Sequence, residues 1–344
     1  LLKVSQVFWS FDMHGKALLL GSVSSLATMA VAMNGAHGQT MPVDTTPTGF
    51  TYSVQGGALF STPSSAIADK AGQKTGNPSP GTTTTASLPP EDIGYNAAFS
   101  VGKQIDAGWD LAFGGSVNHM QDNSGSILTS FSAGGSHGSA ATTMATQFAF
   151  ETGDFEVGYS PQLDPGYKVR LSGGVRALHL VDGNAASGIV DKTGNSGSGY
   201  GYGYASAQTT ADFLGAGPRV AISGSKRVDG SAFGISGAVG VAAEYGRETQ
   251  DKTGSGGSYT SSGGSGSAST NQTFPTTKKG TASYKWIFDL DASIGADYYL
   301  NDNTTLTVGY HAEQLTNVDG SNFNANGMKS KLVSGPFLKL SGSL

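Results

Sequence analysis

The chain has 344 residues, of which 52 are glycine, 13% are charged and none is cysteine, and its formal net charge is -5. Without cysteine there is no disulfide framework, no thiolate catalysis and no Cys-based zinc site, and without a basic field nucleic acid is not an expected partner. High glycine without collagen's strict period suits either disorder or a repetitive β-structure, and the regular spacing of aromatic and β-branched residues favours the second.

The first element is a targeting segment. From Met13, His14-Gly15-Lys16 is short and positive, Ala17 to Val31 is apolar, and Ala36-His37-Gly38 precedes Gln39. This layout predicts a secretory signal peptide with the mature chain beginning near Gln39; an amphipathic anchor or a buried helix is the blander reading. Residues 1–38 are therefore read as an upstream extension plus signal peptide, and 39–344 as one domain. The apolar run is too short to span a bilayer as a helix, and no later stretch is long and apolar enough.

After a Pro/Thr-rich lead-in, period-two alternation recurs along the chain. Phe50, Tyr52, Val54, Ala58 and Phe60 mark a first strand, and Ile93, Tyr95, Ala97, Phe99 and Val101 a second. A third sets Trp109, Leu111, Phe113 and Val117 against Asp110, Gly114, Ser116 and Asn118. A fourth ends in Phe155, Val157 and Tyr159 opposite Asp154, Glu156 and Gly158. Phe148 and Phe150 fall on the other parity, which predicts a bulge near Thr152-Gly153. After the Asp164-Pro165-Gly166 turn, a fifth strand puts Tyr167, Val169, Leu171 and Val175 outward and Lys168, Arg170 and Arg176 inward. A sixth begins at Tyr200, Tyr202 and Tyr204, beyond the bilayer, and continues through Leu214, Val220 and Ile222 with Arg219 inward. A seventh alternates Phe233, Ile235, Val239, Val241 and Tyr245 with Ser236, Gly240 and Glu244.

The longest alternation runs from Trp286 to Gln314. Trp286, Phe288, Leu290, Ile294 and Tyr298 oppose Asp289, Asp291 and Asp297; after Asn301-Asp302-Asn303, Leu306, Val308 and Tyr310 oppose His311 and Glu313. A last strand carries Leu332, Leu338, Leu340 and Leu344 outward with Lys331 and Lys339 inward. Ser61 to Asp92, Asp122 to Ala141, Val181 to Ser198 and Glu248 to Gly280 read as long Gly/Ser/Thr-rich loops, the Gly194 to Gly199 cluster as flexible loop, and Asn317 to Met328 as a shorter one. Long connections alternate with short ones, as a barrel with both termini in the periplasm requires. The expected fold is an all-β transmembrane antiparallel barrel, an up-and-down meander of about ten strands, with about 8–12 admissible because Gly-rich strands set register weakly.

Several segments resemble the Legionella-type major outer membrane protein family. They are Asp154 to Tyr159 (DFEVGY), Val169 to Leu178 with its GGVRAL core, and Asp212 to Gly224 (DFLGAGPRVAISG) leading into Gly237 to Gly246. Thr307 to Gln314 (TVGYHAEQ) and Gly335 to Leu338 (GPFL) complete the set, which spans about the last two-thirds of the expected mature chain. The resemblance implies a pore-forming barrel in the outer membrane of a Gram-negative bacterium, with no enzymatic activity and no cofactor. Many such barrels end in an aromatic residue read during assembly, whereas this sequence stops at Leu344.

Lys168, Arg170, Arg176, Arg219, Glu156, Glu244, Asp289, Asp291, Asp297 and Glu313 are the candidate pore-lining residues, joined by Asp110 and Asp154. Either they face one another across a hydrated lumen and tune ion selectivity, or they pair off and fill a narrow interior. Tyr52, Tyr95, Trp109, Tyr159, Tyr167, Tyr245, Trp286, Tyr298 and Tyr310 are candidates for the aromatic girdles. A Ser/His/Asp hydrolase built on His311 and Asp289 lacks a nucleophile-elbow sequence. Same-face spacing of Asp289, Asp291 and Asp297 follows from period two and makes no metal shell. The expected partners are outer-membrane lipid, the barrel-assembly machinery, and small hydrophilic solutes or ions, with self-association into a homo-oligomer left open. A closed structural or adhesive barrel acting through its surface loops is the alternative function.

Overall fold

The computed structural model describes residues 49–61, 83–87, 92–106, 108–133, 136–161, 167–193, 200–261, 269–278, 280, 282–318 and 330–344. The expected signal peptide, the Asp164-Pro165-Gly166 turn, the Gly194 to Gly199 cluster and most of the Asn317 to Met328 loop lie outside these residues.

Ten strands close into an antiparallel ring. In chain order the strands are β1 (Phe50–Ser61), β2 (Thr83–Ser87), β3 (Asp92–Asp106), β4 (Trp109–Ala133), β5 (Ser136–Tyr159) and β6 (Tyr167–Thr193). They continue as β7 (Tyr200–Arg227), β8 (Phe233–Ser261), β9 (Ser269–Lys278), β10 (Ala282–Asn301), β11 (Thr304–Thr316) and β12 (Ser330–Ser343). Each ring strand pairs with its chain neighbours, β8 with β10 and β1 with β12, while β2 and β9 stand outside the ring on β4 and β8. Full closure leaves the ring no unpaired edge, which a strand wall in lipid requires.

The register fixes the size of the ring. One row of neighbours runs from Trp109 through Tyr159, Leu171, Ile222 and Val239 to Ala292, and on through Ala312, Ser334 and Phe60 to Ile93. Ile93 adjoins Gly94, the partner of Met120, so the row re-enters β4 twelve positions above its start. A stagger of twelve over ten strands tilts them by about 40° and gives a backbone radius of roughly 10 Å. Side chains reaching inward from all sides nearly fill such a space.

Hydrophobicity is inverted relative to a soluble barrel. On β10, Trp286, Phe288, Leu290, Ile294 and Tyr298 are exposed; Ile294 is 69% accessible and Asp289 only 2%. The same outward row recurs as Trp109, Leu111 and Phe113 on β4, and as Phe233, Ile235, Val239 and Val241 on β8. Asn118, Arg176, Arg219, Glu244, Asp297 and Glu313 are buried inside. Apolar outside and polar inside is the pattern of a barrel solvated by lipid.

Tyr95, Trp109, Tyr159, Tyr167, Tyr245, Trp286, Tyr298 and Tyr310 are exposed, and Tyr52 is half-buried. At the short-turn end the Trp109 and Tyr159 rings lie 5.0 Å apart and Phe233 and Tyr298 5.3 Å apart; at the other end Tyr245 and Trp286 are 5.1 Å apart. Trp286 pairs with Tyr245, and Tyr298 with Phe233. The twelve residue steps from one level to the other rise about 30 Å along a strand tilted by about 40°, the thickness of a hydrocarbon core. Lys226 over the Tyr167 ring and Arg227 over the Tyr299 ring, each at 4.7 Å, sit on the short-turn rim.

Three sequence expectations change. First, no bulge interrupts β5 near Thr152-Gly153: its register with β6 is continuous from His137 to Tyr159. The irregularity is on β4, between Met120 and Asn123, and Phe148 and Phe150 point inward. Second, much of what reads as loop is strand. The segments Asp122 to Ala141, Val181 to Ser198 and Glu248 to Gly280 carry the upper halves of β4, β6 and β8 and the upper end of β5, together with β9. Glycine lowers strand propensity but does not forbid pairing when two neighbours supply the ladder, and the interspersed threonines favour a strand. Third, β4 to β8 are therefore 25, 24, 27, 28 and 29 residues long, against 12 for β1 and 13 for β11. A tilted strand crosses the bilayer in about 9–11 residues, so one side of the wall projects far beyond it.

Candidate functional site

The interior is stratified. Starting from the short-turn end, the first stratum is polar and hollow. A cavity of about 670 Å³ is lined by Thr51, Ser53, Gln55, Gln104, Asp110, Lys168, Arg170 and Lys339 among others. A second of about 380 Å³ shares Lys168, Arg170 and Lys339 with it. One wall is uncharged. Gln55 donates to Asn96 at 3.0 Å, Asn96 to Asn118 at 2.7 Å, Asn118 to Ser116 at 3.1 Å, and Ser116 meets Thr152 at 2.9 Å. Gln55 and Asn96 each find their partner on the next strand because inward residues of neighbouring strands stand in register, and Asn118 turns back to Ser116 on its own strand.

The second stratum is an ion-pair belt. Arg170 on β6 donates to Asp110 at 2.7 Å and to Glu156 at 2.9 Å. Arg219 on β7 reaches Glu156 at 2.9 Å and Asp291 at 2.5 Å. Arg176 takes Asp154 at 2.7 Å, pairs with Asp289, and lies 3.5 Å from both Asp291 and Glu313. The planar guanidinium suits this task, since its fork of five donors can serve several carboxylates at once. The sequence left open whether basic and acidic walls face each other across water or join; these three arginines are joined to carboxylates of β4, β5, β10 and β11. Glu244 is buried at the same level, and neither of its carboxylate oxygens is hydrogen-bonded among the described residues.

The third stratum is apolar. Leu59, Met120, Phe148, Phe150, Leu178, Leu180, Phe213, Ile287, Leu315 and Val333 come from eight of the ten ring strands and form, with Val318, one buried cluster no member of which exceeds 3% exposure. They cross the lumen as a septum. Above it, Lys331 pairs with Asp182 at 3.1 Å and sits 4.1 Å from the Phe148 ring, and Lys285 pairs with Glu248.

All ten sequence-derived lining candidates point inward. Arg170, Arg176, Arg219, Glu156, Asp289, Asp291 and Glu313 share the belt. Asp297 instead accepts from Ser236 at 2.8 Å and Thr307 at 2.7 Å near the short-turn end, and Lys168 is exposed there. Sequence reasoning missed the septum and the Asp182, Glu248 and Lys285 contributions. A signal was present: Leu178, Ile287 and Leu315 each lie two residues from an inward charge, at Arg176, Asp289 and Glu313, and so share its face. An apolar residue on the charged parity belongs to the lumen.

The sequence matches, over residues 45–342, the family described as the Legionella pneumophila major outer membrane protein precursor. No curated protein matches. Among solved structures, the outer membrane protease OmpT from Escherichia coli is 10% identical, with 89% of this chain and 99% of that chain covered at a TM-score of 0.43. The COG4313 outer membrane channel from Pseudomonas putida F1 is 10% identical (89% and 100% covered, TM-score 0.28), and the P. putida toluene transporter TodX is 7% identical (87% and 91%, TM-score 0.25). At these values none of the three bears on what this chain does. The family match covers most of the sequence and coincides with the closed, lipid-solvated ring: the chain belongs to the Legionella major outer membrane protein family and is a β-barrel of the Gram-negative outer membrane.

Proposed function

We propose that the protein is a narrow, non-enzymatic pore passing ions and small hydrophilic solutes, in which the septum is the constriction. The supporting observation is the hollow polar stratum at the periplasmic end, cavities of about 670 and 380 Å³ inside a wall whose outer face is apolar. A barrel serving only as an anchor has no use for that space, and ten strands could fill it. In this reading the ten lining candidates set the field that a solute meets, and the septum conducts when it wets. Hydrophobic constrictions gate by dewetting. Export by a signal peptide ending at Gly38 belongs to the same proposal, and a mature N-terminus other than Gln39 on sequencing would revise that boundary.

A second reading, a closed barrel acting through its projecting hairpins, is favoured by the near-complete burial of the septum. Single-channel recording of the refolded protein in planar bilayers separates the two. Discrete steps from the wild-type protein support the pore. Silence from wild type with steps from a Phe150→Ser/Leu178→Ser variant means that the septum seals a closed barrel. Silence from both moves the function to the hairpins.

A further inference from the structure

The smaller cavity, about 380 Å³, differs chemically from the belt above it. Three cations line it, Lys168, Arg170 and Lys339, against one carboxylate, Asp297. Arg170 is already engaged by Asp110 and Glu156. The Asp297 carboxylate is engaged by the Ser236 and Thr307 hydroxyls. Lys168 and Lys339 remain: among the described residues neither ammonium has a carboxylate within ion-pair distance. They stand on β6 and β12, five strands apart in a ring of ten and so on opposite walls.

Eight serines and threonines also line it, beside Val169, Tyr299, Phe337 and small residues, and two of them, Ser236 and Thr307, are the donors to Asp297. A hydroxyl can donate as readily as accept, so cations backed by hydroxyls form a surround of donors. Such a surround rewards an anion with several acceptor oxygens over a spherical halide, because charge-assisted hydrogen bonds to oxyanions are directional. Lys168 is the second residue of β6 and exposed, which leaves the chamber open to the periplasmic side.

We propose that this chamber is a binding site for a small oxyanion, phosphate or carboxylate, held between Lys168 and Lys339 and entering from the periplasm. The site needs no passage through the septum, so it stands independently of the pore reading.

The test is calorimetric titration of the refolded full barrel in detergent at constant ionic strength, with inorganic phosphate, acetate and chloride in separate arms. The expected result is saturable binding of phosphate or acetate and none of chloride, the arm with the tighter binding identifying the oxyanion. A Lys168→Gln/Lys339→Gln variant, checked for folded electrophoretic mobility, should bind at least about tenfold more weakly, the equivalent of about one lost charge-assisted bond. Lys103→Gln, on the outer face over Phe50, should bind as wild type does. Binding absent from wild type, shared equally by chloride, or unchanged in the double variant overturns the site. If the site variants unfold, Lys168→Arg/Lys339→Arg should restore folding and binding together, and loss of binding in that folded variant counts against the proposal. A barrel that binds phosphate but carries no current refutes the pore alone; one that conducts without binding refutes the site alone.

Discussion

Arg176 and Asp289 are 113 residues apart in sequence and three strands apart around the ring, yet their side chains meet in the middle of the barrel. The bond spans the lumen instead of running along the wall, so it ties β6 to β10 through the interior. Both residues are buried, and Asp154 and Glu313 crowd the same guanidinium.

Removing one partner of a buried ion pair is costly because the other charge is left uncompensated. Arg176→Ala is expected to destabilise the barrel by about 3–5 kcal/mol. Arg176→Met combined with Asp289→Leu should cost less than the sum of the two single changes, because Asp154 and Glu313 still lose their partner while the Asp289 charge is no longer stranded. Urea unfolding in lipid vesicles, following tryptophan emission, measures both. A double-variant loss equal to the sum of the two single losses would deny the cross-lumen pair an energetic role.

Lipid exposure should make charge tolerance depend on depth. Val239 lies midway between Phe233 and Tyr245 on the outer face of β8, and an arginine there should cost about 2–4 kcal/mol. At Thr249, beyond the Tyr245 and Trp286 aromatic level, the same residue should cost about 1 kcal/mol or less. Parallel unfolding titrations of the two variants decide it, and equal costs would misplace the bilayer.

The septum is tightly packed, so truncation should register as lost stability. Phe213→Ala is expected to cost about 3–5 kcal/mol and Leu178→Ala about 2–5 kcal/mol, from lost transfer energy plus the cavity left behind. A near-neutral effect at both positions would mean that the septum is loose in the membrane.

Gly217 is a position where the backbone of the neighbouring strand comes too near for a side chain. A Cβ there would collide with the Ala243 carbonyl, whereas one at Gly153 would meet open space. Gly217→Val should abolish the heat-modifiable folded band on electrophoresis, and Gly153→Ala should leave it intact.

The sequence alone determined which residues face lipid and which face the interior, Phe148 and Phe150 excepted. Alternation with period two is a local property, and a barrel in a bilayer demands it in every strand. Ten strands, their antiparallel order, the aromatic levels at Trp109 and Trp286, and the inward set from Lys168 to Glu313 could all be read from it. Strand ends could not, because glycine-, serine- and threonine-rich segments such as Val181 to Thr193 become strand only when partners on both sides satisfy their backbone groups. Nor could the continuity of β5, since apolar Phe148 and Phe150 on the inward parity read as a change of face until the septum gives them a place inside. Above all, only closure of the ring decided what the inward residues do. The stagger sets a radius of roughly 10 Å, and at that radius Arg176 reaches Asp289, while Phe150, Leu178 and Phe213 come together across the lumen. Contacts across a barrel depend on its circumference, a property of all ten strands at once, which no single stretch of sequence encodes.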